Sequence, residues 1–280
     1  MLNVAVLGAG GRMGATVCRA VDEAPDLDLV AVVDPGSGGR RLGEVAHGLR
    51  PETGSLEVCS SIEELASRTG GPGATAPQVA VDFTVAAAAV SNLVWCAAHG
   101  LHAVCGTTGM NDDDMGRIEG AFGASRGTNA VLAANFSIGA ALMMRCAELC
   151  APYFDGVEVL ELHHDHKRDA PSGTALSIAR RIETARLASN CGPLTDDPTE
   201  KQILAGARGG ALSSGVRIHS VRLPGFVAHH EVLLGATGET LTVRHDSTDR
   251  VSFMPGVLLA VRKVAMCPGV TIGLEPLLGI

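Results

Sequence analysis

The stretch NVAVLGAGGRMGATVCRAV, Asn3 to Val21, restricts the possible folds more than any other part of the chain. Val4 to Leu7 form the uninterrupted apolar run of a strand buried on both faces. The run breaks at Gly8-Ala9-Gly10-Gly11, and apolar residues resume at helical spacing through Met13, Val17 and Val21. A strand, a glycine turn and a helix in this order are the start of a βαβ unit. The spacing G-x-G-G-x-x-G leaves the register open: Gly8, Gly10, Gly14 or Gly8, Gly11, Gly14. Either choice provides backbone without Cβ for a pyrophosphate to approach, and a helix N-terminus whose N–H groups meet its charge.

A second apolar strand, LDLVAVVD, ends at Asp34, about 20 residues beyond Gly14, where an acid can hold a ribose 2′-hydroxyl. An acid there favours NADH, whereas Arg40 and Arg41 follow in a Gly-rich loop and could reach a 2′-phosphate. NADH and NADPH are therefore both expected cofactors. The alternation continues through VAVDFT, a helix closing at Gly100, HAVCGTTG and AVLAANFSIG, which implies an α/β chain with a Rossmann-like parallel sheet. Ligands on such sheets sit beyond the carboxyl ends of the strands. The turns at Phe83-Thr84, Gly106-Thr107-Thr108 and Ala134-Asn135-Phe136 are accordingly expected at the nicotinamide end. Arg50 to Ser61 and Thr69 to Ala76 read as surface loops.

From about Ser137 the pattern changes, and GVEVLELHHDHKRDAPSGTAL concentrates titratable chemistry. The chain has only three lysines, Lys167, Lys201 and Lys263, with arginine carrying the other positive charges. Unlike a guanidinium, an amine can give up a proton, so Lys167 is a candidate for chemistry. If Val157 to Lys167 is extended, Glu161, His163, Asp165 and Lys167 share one face, with His164 and His166 on the other. Ser172 or Thr174 can cap the helix that follows, and the Gly173 and Thr174 amides at its start can bind a carboxylate. Neighbouring histidines on opposite faces do not converge on one ion, so no metal site is expected.

A net charge of -8 argues against nucleic acid as a partner. No apolar run is long enough to cross a bilayer and no cleavable leader precedes the first strand, which reads as a soluble cytoplasmic protein with no membrane partner. The eight cysteines show no paired CxxC, and Cys146 and Cys150, four apart on a helix, read as small buried hydrophobes.

Taken together, ELHHDHKRDAPSGTAL, VAVLGAGGRMG, VCGTTG, AANFSIGA and the later SVRLPGFVAHHEVLLGATGETLTVRHDSTDRVSFMPGVLLAVRKV resemble the 4-hydroxy-tetrahydrodipicolinate reductase family, also called dihydrodipicolinate reductase. The resemblance spans nearly the whole chain. It implies an NAD(P)H-dependent reductase of a small heterocyclic dicarboxylate in diaminopimelate and lysine biosynthesis. By similarity His163 is the acid/base, and Lys167 the proton donor and a carboxylate ligand. His164 and Ser172 contact substrate, and Gly173 and Thr174 hold the second carboxylate. The family's cofactor positions fall on Gly8, Ala9, Gly10, Gly11, Arg12, Met13, Asp34, Gly106, Thr107, Thr108, Ala133, Ala134, Asn135 and Phe136, to which the turn after VAVDF adds Phe83.

The resemblance also implies a dinucleotide-binding domain over 1–136 and 246–280, and a second α+β domain over 137–245 whose mixed or antiparallel sheet builds a homotetramer. Asn135-Phe136-Ser137 and Arg244-His245-Asp246 are the expected hinges. Two alternatives stay open, another imino- or amino-acid dehydrogenase of the same plan and a non-catalytic NAD(P)H-binding regulator. His229, His230 and Glu231 read as structural residues rather than catalytic ones.

Overall fold

A computed structural model of the chain describes residues 1–69, 75–124 and 127–280. The chain opens with β1 (Leu2–Leu7), α1 (Arg12–Glu23) and β2 (Leu27–Val33). There follow the short α2 (Pro51–Gly54), α3 (Ile62–Thr69), β3 (Val79–Asp82), α4 (Ala86–Ala98), β4 (His102–Cys105), α5 (Asp112–Ala124) and β5 (Ala130–Leu132). Next come α6 (Ile138–Cys150), β6 (Gly156–His163), α7 (Gly173–Ala188), β7 (Gly210–Ala211), β8 (Arg217–Arg222), β9 (Ala228–Ala236) and β10 (Glu239–Ser247). The chain closes with α8 (Met254–Lys263), β11 (Val270–Ile272) and α9 (Glu275–Leu278). It divides into two compact units, Met1–Ser137 with Phe253–Ile280, and Ile138–Ser252. Among the described residues no helix is long and apolar enough to cross a membrane.

The first unit is built on a parallel sheet in the order β11-β5-β4-β3-β1-β2. Its strands read as continuous apolar runs because both faces are covered. Ala5, Leu7, Ala80, Ala103 and Leu132 pack with residues of α3, α4 and α5 on one face. Val4, Val6, Val32, Val81, Val104 and Val131 are buried on the other, the side of α1 and α8. Since β1 lies between β2 and β3, the chain winds outward to β2 and then returns past β1. That reversal opens a crevice at the carboxyl ends of β1 and β3.

The second unit has a mixed sheet in the order β10-β9-β6-β8-β7, with β6 parallel to β8 and antiparallel to β9. Val157 and Val159 of β6, Ile218 of β8, and Val232 and Leu234 of β9 pack against Met143, Ala147, Ile178 and Ile182 of α6 and α7. On β6 the buried positions alternate, and after Val157 and Val159 the next two are Glu161 and His163. The strand thus carries two titratable residues on its core face.

Several expectations change. β6 ends at His163, and the chain turns there, the Lys167 N–H donating to the His164 carbonyl at 3.2 Å. Residues 164–167 therefore do not extend the alternating face. Residues 50–61 are more ordered than a surface loop: α2 starts at Pro51, and the Asp22 carboxylate, buried under it, accepts the Arg50 N–H at 2.8 Å. Part of the expected loop at 69–76 falls on residues 70–74, outside the described residues. Arg244, His245 and Asp246 lie inside β10, paired residue by residue with β9, so they form no hinge, and residues 246–252 go with the second unit. Cys146 is exposed on α6, whereas Cys18, Cys59, Cys96 and Cys105 are buried.

The glycine register is settled by close approach. A Cβ on Gly14 would lie 2.0 Å from the Gly8 carbonyl oxygen, and one on Gly10 would lie 2.8 Å from the Asp34 carboxylate. At Gly11 the nearest approach is a milder 3.3 Å. Gly14→Ala should therefore force apart the β1 turn and α1, costing about 1–3 kcal/mol. A thermal melt followed by circular dichroism should show the transition lowered by several degrees.

Candidate active site

In the first unit every candidate cofactor residue lies at the carboxyl edge of the parallel sheet, just past Leu7, Val33, Asp82, Cys105 or Leu132. Gly8 turns with a φ of 84°, and α1 then begins without a side-chain cap and without an acidic residue in its first turn. Its first amides are left for an anion. The Asp34 carboxylate accepts the Gly10 N–H at 2.9 Å, which ties the end of β2 to the turn. These glycines and bare amides fit a pyrophosphate, and the acid beside them fits a ribose. Arg40 and Arg41 are engaged elsewhere: Arg40 with Glu44 at 3.4 Å, and Arg41 with the Ser55 carbonyl at 2.6 Å.

The turns after β3 and β4 are organised by Asp82, which is 1% exposed. Its carboxylate accepts from the Thr84 N–H at 2.9 Å, the Thr84 hydroxyl at 2.7 Å, the Thr107 hydroxyl at 3.1 Å and the Asn92 amide at 2.8 Å. The Phe83 ring covers Gly106 so closely that a Cβ there would lie 2.1 Å from the ring, and it meets Phe136 at a centroid distance of 5.9 Å. Ala133 donates its N–H to the Cys105 carbonyl at 3.0 Å, and the Ser137 N–H bonds the Asn135 side chain at 2.8 Å.

In the second unit the titratable groups converge on Glu161, which is fully buried. Burial opposes its charge, but the hydrogen bond from His163 and the fork of Arg222 hold its carboxyl well below the usual carboxylate range. Arg222 donates to Oε2 at 2.9 Å and to Oε1 at 2.7 Å, and the Ser172 N–H reaches Oε1 at 3.2 Å. His163 bonds Oε2 through Nδ1. His230, the cross-strand partner of Glu161, lies edge-on to His163 at 5.3 Å, and its Nε2 is 3.2 Å from the Ser172 hydroxyl. Burial, reinforced by His163, pushes the His230 imidazole down to about 4.

Ser172, and not Thr174, caps α7, its hydroxyl accepting the Ala175 N–H at 3.2 Å. The amides of Gly173 and Thr174 begin the helix, Gly173 is exposed, and nothing lies within 4 Å of where its Cβ would be. Lys167 is held by the Asp169 carboxylate at 2.9 Å, and Arg222 also donates to the Asp169 carbonyl at 2.7 Å. The Nδ1 of His164 is buried without a hydrogen-bond partner among the described residues. The Glu161 carboxylate thus holds His163 and the start of α7, and Arg222 links it through the Asp169 carbonyl to the segment that bears Lys167.

Residues 2–136 match the family model described as dihydrodipicolinate reductase, N-terminus, and residues 139–278 match its C-terminus. The chain belongs to the dihydrodipicolinate reductase family. Members named 4-hydroxy-tetrahydrodipicolinate reductase from Streptomyces coelicolor and Cutibacterium acnes are 46% and 45% identical, covering 100% of this chain and 98% and 100% of theirs. A dipicolinate-bound dihydrodipicolinate reductase from Paenisporosarcina sp. TG-14 superposes with a TM-score of 0.82 at 35% identity, covering 99% of each chain. With the family come the oxidoreductase class and a nicotinamide cofactor, NADH or NADPH.

Within this family member, sequence reasoning missed Asp82, Asn92 and Arg222 beside the candidate residues, and His230, read as structural, packs against His163. Asp82 had a local signal, an acid inside an apolar strand. Arg222 had none, since it reaches Glu161 only through the pairing of β6 with β8, 61 residues along the chain.

The depressed His230 pKa has a consequence for stability. An imidazole that is neutral when folded and ordinary when unfolded contributes stability that is complete above about pH 6.5 and is lost as pH falls toward 4. Urea denaturation at about pH 7.5 and about pH 5 should show the native protein losing roughly 2 kcal/mol more than His230→Gln. The loss from Glu161 falls below this window, because its folded pKa is depressed from a carboxylate value.

Proposed function

We propose that the chain reduces 4-hydroxy-tetrahydrodipicolinate to tetrahydrodipicolinate in diaminopimelate and lysine biosynthesis. One hydride and one proton enter and one water leaves. The observation that carries this reading is the buried Glu161, which holds His163 and the Ser172 N–H at the start of α7 and, through Arg222, anchors Asp169, the partner of Lys167. A dicarboxylate needs two cationic or amide-rich anchors. Lys167 supplies one, and the Gly173 and Thr174 amides with the Thr174 hydroxyl supply the other, with Ser172 shaping the turn. The dipicolinate bound by the Paenisporosarcina reductase, a planar heterocyclic dicarboxylate, is a ligand of the same shape and charge.

The reduced nicotinamide supplies the hydride when bound. Gly8, Ala9, Gly10, Gly11, Arg12 and Met13 would hold its dinucleotide, with Asp34 at the ribose, and Phe83, Gly106, Thr107, Thr108, Ala133, Ala134, Asn135 and Phe136 would contact it farther along the strand ends. The negative charge that develops on the heterocycle is met by the Lys167 ammonium, which donates the proton. His163 serves as acid/base in the loss of water, and His164, whose Nδ1 is buried without a partner among the described residues, contacts the substrate. Because Arg40 and Arg41 are already engaged and Asp34 stands at the ribose position, NADH is the better of two usable cofactors. A homotetramer, the assembly its family resemblance implies, covers the outer side of the second sheet, where Leu233 is exposed.

The test is loss of NADH or NADPH absorbance when the purified protein meets the freshly made condensation product of pyruvate and aspartate semialdehyde. Turnover is expected with both cofactors and faster with NADH, and Lys167→Ala should lose about 10²- to 10⁴-fold in rate. Cofactor binding without oxidation would favour a non-catalytic nucleotide-binding protein instead.

A further inference from the structure

We infer that Glu161, clamped by Arg222, is a positioning residue for the reduction: it fixes His163 as the Nδ1–H tautomer and leaves Nε2 to exchange the proton with substrate. The inference rests on the proposed reductase reading and deepens it. An ionised carboxylate only accepts hydrogen bonds. Glu161 is fully buried and ionised, so the Nδ1 of His163 must be the donor to Oε2. Both oxygens of Glu161 are fully used, Oε2 by His163 and Arg222, and Oε1 by Arg222 and the Ser172 N–H. The carboxylate therefore cannot swing away, and the ring it holds keeps one tautomer and one plane.

The neighbouring imidazole does not compete for that carboxylate. His230 is held neutral by burial and directs its Nε2 to the Ser172 hydroxyl at 3.2 Å. Arg222 also bonds the Asp169 carbonyl, and the Asp169 carboxylate holds the Lys167 ammonium at 2.9 and 3.0 Å. The Lys167–Asp169 pair is more exposed and correspondingly weaker. Its backbone anchor is nevertheless the same arginine. One buried ion pair thus sets the histidine directly and the lysine-bearing turn through the main chain.

A purely architectural role, joining β6 to β8, predicts different behaviour from a positioning role. Glu161→Gln should lower kcat about 10²-fold with KM for the heterocycle changed less than about threefold, because orientation and tautomer are lost while the carboxylate anchors remain. In a His163→Ala background the same substitution should cost less than about threefold further, since its effect passes through the ring. An equal loss in both backgrounds would overturn the proposal. NADH affinity, measured by fluorescence titration, should stay unchanged because the glycine cradle belongs to the other unit.

If Glu161→Gln fails to fold, histidine-selective ¹⁵N spectra of the unsubstituted protein at about pH 9, well above the ordinary imidazole range, decide the matter. A proton on Nδ1 of His163 with Nε2 bare is the expected result, and a proton on Nε2 would overturn the proposal. Absence of turnover in the native protein would sink the reductase reading, and the spectra would still decide the tautomer.

Discussion

A carboxylate with no exposure to solvent, at a core position of a strand, is the constraint around which the second unit is organised. Glu161 continues the row begun by Val157 and Val159, facing the interior where a third aliphatic side chain would be the ordinary choice. Charge in that place is tolerable only when several donors surround it, and removing one member of a buried pair costs about 3–5 kcal/mol. The donors come from the next residue on the same face, from β8 and from the turn before α7. Meeting the needs of one charge therefore brings together His163, Arg222 and Ser172. The stability requirement and the geometry proposed for chemistry are one arrangement.

The first unit solves a related problem with backbone instead of charge. Its crevice forms where the strand order reverses, and the surfaces there must admit a large anion without a cluster of basic side chains. Glycines at 8, 10 and 14 let strand, turn and helix approach to distances that a Cβ would forbid, and the uncapped start of α1 supplies the N–H groups. Asp34 and Asp82 then tie the strand ends to their neighbours, Asp34 through the Gly10 amide and Asp82 through two threonines and an asparagine. In both units a buried or strand-end carboxylate gathers the adjoining segments, Asp34 and Asp82 at strand ends in the first and Glu161 within β6 in the second.

Much of this was legible in advance. Buried parallel strands show as unbroken apolar runs, so the alternation from Val4 to Leu132 disclosed the α/β class, and the HHDHKRDAPSGTAL segment disclosed the residues proposed for chemistry. What could not be read was local geometry that depends on partners. The same period-2 reasoning that correctly grouped Glu161 with His163 failed two residues later, because β6 ends where the chain turns through 164–167. GETLTVRHDS reads as a strand and is one, but Arg244 to Asp246 at its end, expected as a hinge, are paired residue by residue with β9.

The sequence by itself determined the order of strands and helices, the glycine turn, the acid at the end of the second strand and the cluster of titratable groups around Lys167. Each depends on neighbours within a few residues, where periodicity and side-chain chemistry act directly. Tertiary structure decided which of those groups is ionised, which is neutral and which nitrogen is hydrogen-bonded. Arg222 reaches Glu161 across the β6–β8 pairing, and His230 stands opposite Glu161 on β9. Those contacts, and the removal of water that accompanies them, hold Glu161 charged and His230 uncharged within the same few ångströms. Burial and long-range pairing are properties of the folded chain, and they set the chemistry that the sequence only made available.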